Sequence, residues 1–322
     1  MKKNAAKKFL RKTAALILAG VIALSMCACA EIKLVSSMDD DTLIVIDDEV
    51  CTSAEGIFRL MEVIEAYGDA DEYFFERSVG SLTMEEYLKE SVKEEMIKLL
   101  CVSFIADDLA IYLTDEEIEA SNEAAQEAYT QISAKYDTAS YSITAEDVCS
   151  LYERQALYEK VYSELTESVT MQISETDTKV IEVNFVLFPE GTTLSEAESF
   201  REKILAGADF EQTCESAGYE PYMNITVKKG DMVSAFENVA FALTEGELSE
   251  CTETVDGIYL IECVEDYLEA ESAANYNSVI AAAQDEIFDE AYSAVYENVQ
   301  INFNSDLWKK VDAAGLYISE AI

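Results

Sequence analysis

The chain has 322 residues, of which 65 are acidic and 22 basic, for a formal charge of −43, and it contains no histidine. Such a balance repels phosphate backbones and argues against nucleic acid as a partner. Without histidine there is no Ser-His or Cys-His nucleophile pair, and half of the residues are apolar, which marks globular material rather than an acidic disordered tail.

The first element is a secretion signal. Lys2, Lys3, Lys7, Lys8, Arg11 and Lys12 form a basic start, and an uncharged stretch runs from Thr13 to Ala30. Its apolar centre, about 14–24, is short for a membrane span and is followed by small residues and cysteines. The segment "ALSMCACA" fits a lipoprotein cleavage site, where a small residue precedes a cysteine that receives lipid. Ala28 before Cys29 suits that rule better than Met26 before Cys27, so Cys29 is the expected lipidation site. Ordinary secretion with a free N-terminus is the alternative. Removing residues 1–28 takes away six basic residues and no acidic one, which brings the charge from −43 to −49.

A polar tether, 29–41, precedes a strand over 43–46, then a turn and a helix start. Thr52 with Glu55 has capping-box spacing, in which the hydroxyl and the carboxylate each satisfy a free backbone amide. The same signal recurs at Thr83/Glu86, Thr114/Glu117 and Ser195/Glu198. Met84, Leu88, Val92, Met96 and Leu100 then recur every fourth residue, an apolar stripe on a helix whose other face is rich in Glu and Lys. Segments 115–135 and 145–168 read as further helices, so 42–178 is expected to be a multi-helix domain.

At 179 the period changes from four to two. "KVIEVNFVLF" alternates Ile181, Val183, Phe185 and Leu187 and predicts a strand. A helix over 195–206 is stopped by Gly207, and a shorter one over 209–217 by Gly218. "YMNITV" reads as a strand, 234–243 as a Phe-rich helix, and 248–255 with 258–265 as a hairpin turning at Asp256-Gly257. This is one small α+β domain, 179–266. From 269 to about 299 the helical period returns, and 267–322 is expected to complete the helical domain. The whole is an α+β protein in which a small α+β module is inserted into a helical domain.

Six cysteines lie beyond the signal: Cys51, Cys101, Cys149, Cys214, Cys251 and Cys263. They have no metal-ligand spacing, and a turn at Asp256-Gly257 sets residue 251 opposite 262 rather than Cys263, so free thiols are expected. No GxGxxG, P-loop or EF-hand spacing occurs, and neither cofactor nor metal is expected. The acidic run "MDDDTLIVIDDE" reads as a solvated face rather than a calcium site.

Residues 179–266 resemble a parvulin-type peptidyl-prolyl isomerase domain. The matching pieces are "VNFVLF", "ILAGADFEQTCESAG", "KKGDMVSAFENVAFALTEGELS" and "TETVDGIYLIECVED". Most specific is the run of Gly230, Met232, Phe236, Glu237, Phe241, Leu243, Gly246, Glu247 and Ser249. With the "VIDDEVCTSAE" start, the helical segments and the "LWKKV" end, nearly the whole mature chain resembles the PrsA/SurA-type extracytoplasmic foldases.

That resemblance implies rotation about X-Pro bonds, whose barrier of about 18–20 kcal/mol reflects amide resonance. A catalyst needs an apolar grip on the proline ring and a polar surround that favours the twisted amide. Met232 and Phe236 match the family's grip, and Thr254 a polar position. The family's two strand histidines are replaced here, the first by Phe185 or, with one slip, Asn184, the second by Tyr259. Glu220 is the nearest candidate for a further acidic position. Prolyl rotation needs no proton transfer, but the paired hydrogen-bond arrangement is gone, which implies weak isomerase activity or none.

Two functions follow as expectations. One is a lipid-tethered chaperone at the outer face of the cell membrane that holds unfolded or partly folded exported polypeptides. The other is an isomerase with a histidine-free site of Met232, Phe236, Thr254 and Tyr259. Whether two copies pair as a homodimer is left open. The discriminating feature is whether those side chains converge on an open pocket or whether Phe185 fills it.

Overall fold

The computed structural model describes residues 32–34, 38–39, 41–68 and 73–317, the side chains of 170 and 171 excepted. The signal segment, Cys27 and Cys29 lie outside the described residues. The chain forms a mixed helix and sheet structure in two compact units. One takes the described residues up to Thr166 together with those from Ile287 onward, and the other is Glu167–Glu286.

The first unit opens with strands β1 (Lys33–Leu34), β2 (Thr42–Ile46) and β3 (Glu49–Thr52), then helix α1 (Ser53–Tyr67). A two-stranded ribbon, β4 (Ser78–Val79) and β5 (Leu82–Thr83), leads into α2 (Met84–Leu109), α3 (Asp115–Ile132) and α4 (Ala145–Thr166). Capping boxes form at Thr52/Glu55, Thr83/Glu86 and Thr114/Glu117. On α2 the four-residue stripe faces inward: Leu88, Val92, Met96 and Leu100 are buried, with Met84 packed against the same core.

α1 is buried on nearly every side, and its Gly56 is the reason it can lie against β2. A Cβ there would stand 2.3 Å from Cδ2 of the buried Leu43. Burial of this helix also encloses charge. The Arg59 Nε donates to both carboxylate oxygens of Glu95, at 2.9 and 3.0 Å, and Nη1 donates to Glu62 at 3.1 Å. The Tyr152 hydroxyl of α4 donates to Glu62 at 2.6 Å, so one buried cation and one phenol tie α1 to α2 and α4. Removing one partner of such a pair costs about 3–5 kcal/mol, because the other charge is left uncompensated.

The second unit contains α5 (Glu175–Thr178), β6 (Val180–Leu187), α6 (Leu194–Leu205), α7 (Phe210–Ala217), β7 (Pro221–Lys228), α8 (Ser234–Ala240), β8 (Thr252–Thr254) and β9 (Gly257–Glu265). Its sheet is antiparallel with order β7-β6-β9-β8. α6 starts one residue before the sequence expectation, because Thr193 with Glu196, not Ser195 with Glu198, forms the capping box. Alternation along β6 and β9 gives the sheet two apolar faces. Ile181, Val183, Phe185, Tyr259, Ile261 and Cys263 pack with Phe236 of α8, whereas Val186, Phe188 and Leu260 pack with Phe200 of α6 and Phe210 of α7.

The hairpin differs from the expected one. Thr254 pairs with Gly257 and Thr252 with Tyr259, so the two turn residues are Val255 and Asp256. The Thr254 hydroxyl explains the shift: it accepts from the Asp256 N–H and donates to the Gly257 carbonyl, each at 3.1 Å. The upstream strand is also short. Before Thr252 only an isolated bridge, Leu248 with Glu262, extends the pairing, and Ser249 takes over with its hydroxyl accepting from the Ile261 N–H.

Helix α9 (Glu269–Tyr296) starts in the second unit and ends in the first, where Phe288 meets Tyr158 and Tyr162 at 5.2 and 5.4 Å between ring centres. Strand β10 (Ile301–Phe303) then pairs antiparallel with β2 and parallel with β1, giving a sheet of order β1-β10-β2-β3 that the helical reading of this region did not include. α10 (Ser305–Lys310) follows, and its Trp308 is buried with the indole N–H donating to the Lys89 carbonyl. All six cysteines among the described residues are free thiols.

Candidate functional site

β6 sets the site. Its pairing with β9 places Phe185 opposite Ile261 and Leu187 opposite Tyr259, all on the face covered by α8. Its pairing with β7 slips by one residue between Val183 and Phe185, which brings Tyr222 opposite Phe185. The bulge residue, Asn224, sits at φ 53°, the left-handed conformation that asparagine tolerates well. Asn184 supplies what the bulge lacks. Its Oδ1 accepts from the Asn224 N–H at 2.8 Å, while its Nδ2 donates to Glu262 at 2.7 Å.

The register therefore separates the two residues that compete for the first histidine position. Phe185 faces α8, and Asn184 is held on the bulge and on Glu262. Phe185 joins an aromatic cluster: Tyr222 stacks on it with centres 4.6 Å apart and planes 10° apart, and Phe236 meets it edge-on at 5.2 Å. Tyr259 closes the group at 5.1 Å from Phe236 and 5.8 Å from Phe185. Phe236 is fully buried, Phe185 is 6% exposed and Tyr259 5%, whereas Tyr222 is 43% exposed. Rings in offset or edge-on contact add about 0.5–1.5 kcal/mol per pair beyond their buried area, so the cluster is self-supporting.

Met232 lies in the turn before α8 and not on it, so it and Phe236 do not share a helix face. It is partly buried against the same cluster. The turn is fixed by Glu237, whose carboxylate accepts from the Gly230 and Met232 N–H groups at 2.7 and 3.0 Å. Thr254 stands on the Tyr259 face of the hairpin, but both hydrogen-bonding capacities of its hydroxyl are used by the turn. Glu220 is exposed, two residues before Tyr222.

Of the expected site residues, then, Phe185, Phe236, Met232 and Tyr259 come together; Thr254 is near but committed to its turn, and Asn184 is elsewhere. Tyr222 is the member that sequence reasoning missed. Only the bulge puts it over Phe185, and a bulge leaves no plain mark in one sequence.

The chemistry available is that of shape and hydrogen bonding. Burial pushes the Cys263 and Cys251 thiols up to about 11 and Cys101 up to about 12, so they stay protonated and unreactive at neutral pH. Burial, with the carboxylate of Asp256 and the phenol of Tyr222 adding to it, raises the Tyr259 hydroxyl above its ordinary value, which leaves it a neutral donor. Among the described residues no group of His, Cys, Asp and Glu could hold a metal ion, and no helix is long and apolar enough to cross a membrane. A shallow acidic recess of about 540 Å³ lies along α3, lined by Asp115, Ile118, Glu119, Asn122, Glu123 and Gln126, and none of the aromatic cluster contributes to it.

No family model matches the chain. Among curated proteins it is 23% identical over 244 residues to the foldase protein PrsA of Oceanobacillus iheyensis, covering 70% of this chain and 78% of that protein. Among solved structures, the peptidylprolyl isomerase PrsA of Bacillus cereus matches at 18% identity with a TM-score of 0.30, covering 76% of this chain and 93% of the other. One of two structurally related SurA-like chaperones of Campylobacter jejuni matches at 11% identity with a TM-score of 0.26, covering 82% and 99%. The curated match agrees with the resemblance drawn from the sequence motifs, to PrsA-type foldases.

Proposed function

We propose that this protein is an extracytoplasmic folding factor, tethered to the membrane by lipid on Cys29, that holds unfolded exported polypeptides and has weak prolyl isomerase activity or none. One observation carries the reading: Phe185, at the place of the first family histidine, is buried among Phe236, Tyr259 and Tyr222 and fills the centre of the expected proline grip. A proline ring needs an open apolar slot and a polar surround. Here the slot holds a side chain of the protein itself, and Phe236 offers no accessible surface. The module over 179–266 then serves as a binding surface, with its partly exposed Tyr222 and Met232 at the edge of the cluster. The similarity to a PrsA foldase supports the folding-factor part of this reading.

The histidine-free isomerase is the second reading. It is favoured by Tyr259, a donor held against Phe236 with its hydroxyl unpartnered among the described residues. One experiment separates the two: exchange of an acidic-Pro and an apolar-Pro peptide followed by NMR, with and without the mature chain. No acceleration at micromolar protein, together with suppressed aggregation of a reduced client, is the expected result. Acceleration that disappears in a folded Phe236→Ala variant would establish the enzyme instead. Absence of both activities would overturn the folding-factor reading.

A further inference from the structure

We propose that the Tyr222–Tyr259 edge of the aromatic cluster selects client segments in which a lysine or arginine stands next to an apolar residue. The inference rests on the reading that this module binds clients, and it adds the chemistry by which they are chosen. Three strand ends meet at this edge: Tyr222 near the start of β7, Leu187 at the end of β6, and the Val255-Asp256 turn between β8 and β9.

Two independent features point to a cationic ligand. The first is Tyr259. The residue is 5% exposed, and among the described residues its hydroxyl has no hydrogen-bond partner within the protein. This oxygen is not among the buried unpartnered side-chain atoms, so it reaches solvent and is open to a group from outside. The Asp256 carboxylate and the Tyr222 phenol are the groups that act on it electrostatically. The second feature is the sign of the surroundings. Asp256 and Glu220 are exposed at this edge, and the cations of the unit are placed elsewhere. Lys228 pairs with Val180 at the far end of β7, beside Lys179 and Lys229, and Lys229 is paired with Asp177 at 3.1 Å. Arg201 and Lys203 are on α6, against the opposite face of the sheet, with the Arg201 Nε donating to the Ser249 carbonyl.

A ring 43% exposed and backed at 4.6 Å by Phe185 offers an apolar rest and a π face. An ammonium or guanidinium group over such a face, with a carboxylate beside it and a phenol oxygen to accept from it, is bound by cation–π attraction, charge and hydrogen bond together. An acidic residue in the same place would meet Asp256 and Glu220 with like charge.

The test is an NMR titration of the mature chain with two acetylated peptides, Ala-Ala-Xaa-Pro-Phe-Ala, in which Xaa is Lys or Glu. The Lys peptide is expected to bind at least about fivefold more tightly at low salt, and the ratio to shrink at high salt, where the screening length falls to about 3 Å. Asp256→Asn with Glu220→Gln should abolish the preference while leaving a residual affinity for both peptides. Tyr222→Ala should weaken both. Equal affinities in the unaltered protein overturn the selection of cations but leave the client-binding reading standing. A preference that survives the double substitution overturns its assignment to this edge. If neither peptide perturbs Tyr222, Tyr259 or their neighbours, the binding reading of the module fails together with the inference.

Discussion

The two units solve the burial of polar groups in opposite ways. In the first, charge is drawn inside: Arg59, Glu62 and Glu95 meet between α1, α2 and α4, and Arg154 pairs with Glu49 and with the buried Glu55. In the second, the interior is aromatic and aliphatic, and its buried Asn184 satisfies a backbone defect. A scaffold with internal ion pairs is specified by geometry, since each charge tolerates few positions. An aromatic cluster is specified by shape, and its edge can be left open to a ligand. The difference places the buried ion pairs in the first unit and an aromatic cluster with a partly exposed edge in the second.

The strongest way to break this contrast is Arg59→Ala. It should destabilise the first unit by about 3–5 kcal/mol in urea titration, because Glu95 and Glu62 are left buried without their cation. A loss below about 1 kcal/mol would mean that the network is solvated and the contrast false. Next in size is Asn184→Leu, which leaves the Asn224 N–H and the Glu262 carboxylate without their partner. A cost of about 1–3 kcal/mol is expected, read as earlier unfolding of the second unit. An unaltered midpoint would show that the bulge needs no side-chain support. Thr254→Val, which removes the two turn hydrogen bonds, should cost about 1 kcal/mol and leave the Tyr222–Phe185 contacts intact by NMR.

The smallest expected effect is a dependence on pH whose sign differs between buried and capping carboxylates. Burial holds the Glu62 and Glu55 carboxyls above the ordinary value, with Arg59 and the Thr52 backbone acting against it. Their folded states bind a proton more tightly than the unfolded chain, so stability rises as pH falls through their raised values. Glu117 is held down to about 2 by hydrogen bonds from Lys160 and the Thr114 N–H, and the Thr193 backbone lowers Glu196 in the same way. Their contribution is present above the ordinary carboxylate value and lost as pH falls below it. Thermal melts should therefore show stability increasing from pH 8 toward about pH 5, then decreasing below about pH 4. A monotonic fall from pH 8 downward would place Glu62 and Glu55 in water rather than in the core.

Much of the fold was legible. Three of the four capping boxes formed at the residues read from the sequence, because a Thr-x-x-Glu cap is a local exchange of hydrogen bonds that depends on little else. The fourth moved by two residues, where Thr193 and Ser195 offer the same signal and only one can start the helix. The alternation of Ile181, Val183, Phe185 and Leu187 likewise gave one face of β6, since a pleat has a period of two whatever it packs against. The site was legible as a set of residue types, with Phe185, Phe236, Met232 and Tyr259 named from their motif before their contact was known.

What the tertiary structure decided is everything that depends on pairing across the chain. Strand β10 is three residues of "VQINF" whose partners are about 255 positions upstream, and no local period marks it. The hairpin turned at Val255-Asp256 because Thr254 could supply the turn with its own hydroxyl, a competition that dipeptide preference does not weigh. The one-residue slip at Asn224 carried Tyr222 onto Phe185 and so completed the cluster, filled its centre and left one exposed face. Sequence determined this protein wherever the governing contacts lie within one turn of helix or one pleat of strand. Where register between distant strands governs, a shift of a single residue changes the face on which every side chain falls, and that choice belongs to the assembled sheet.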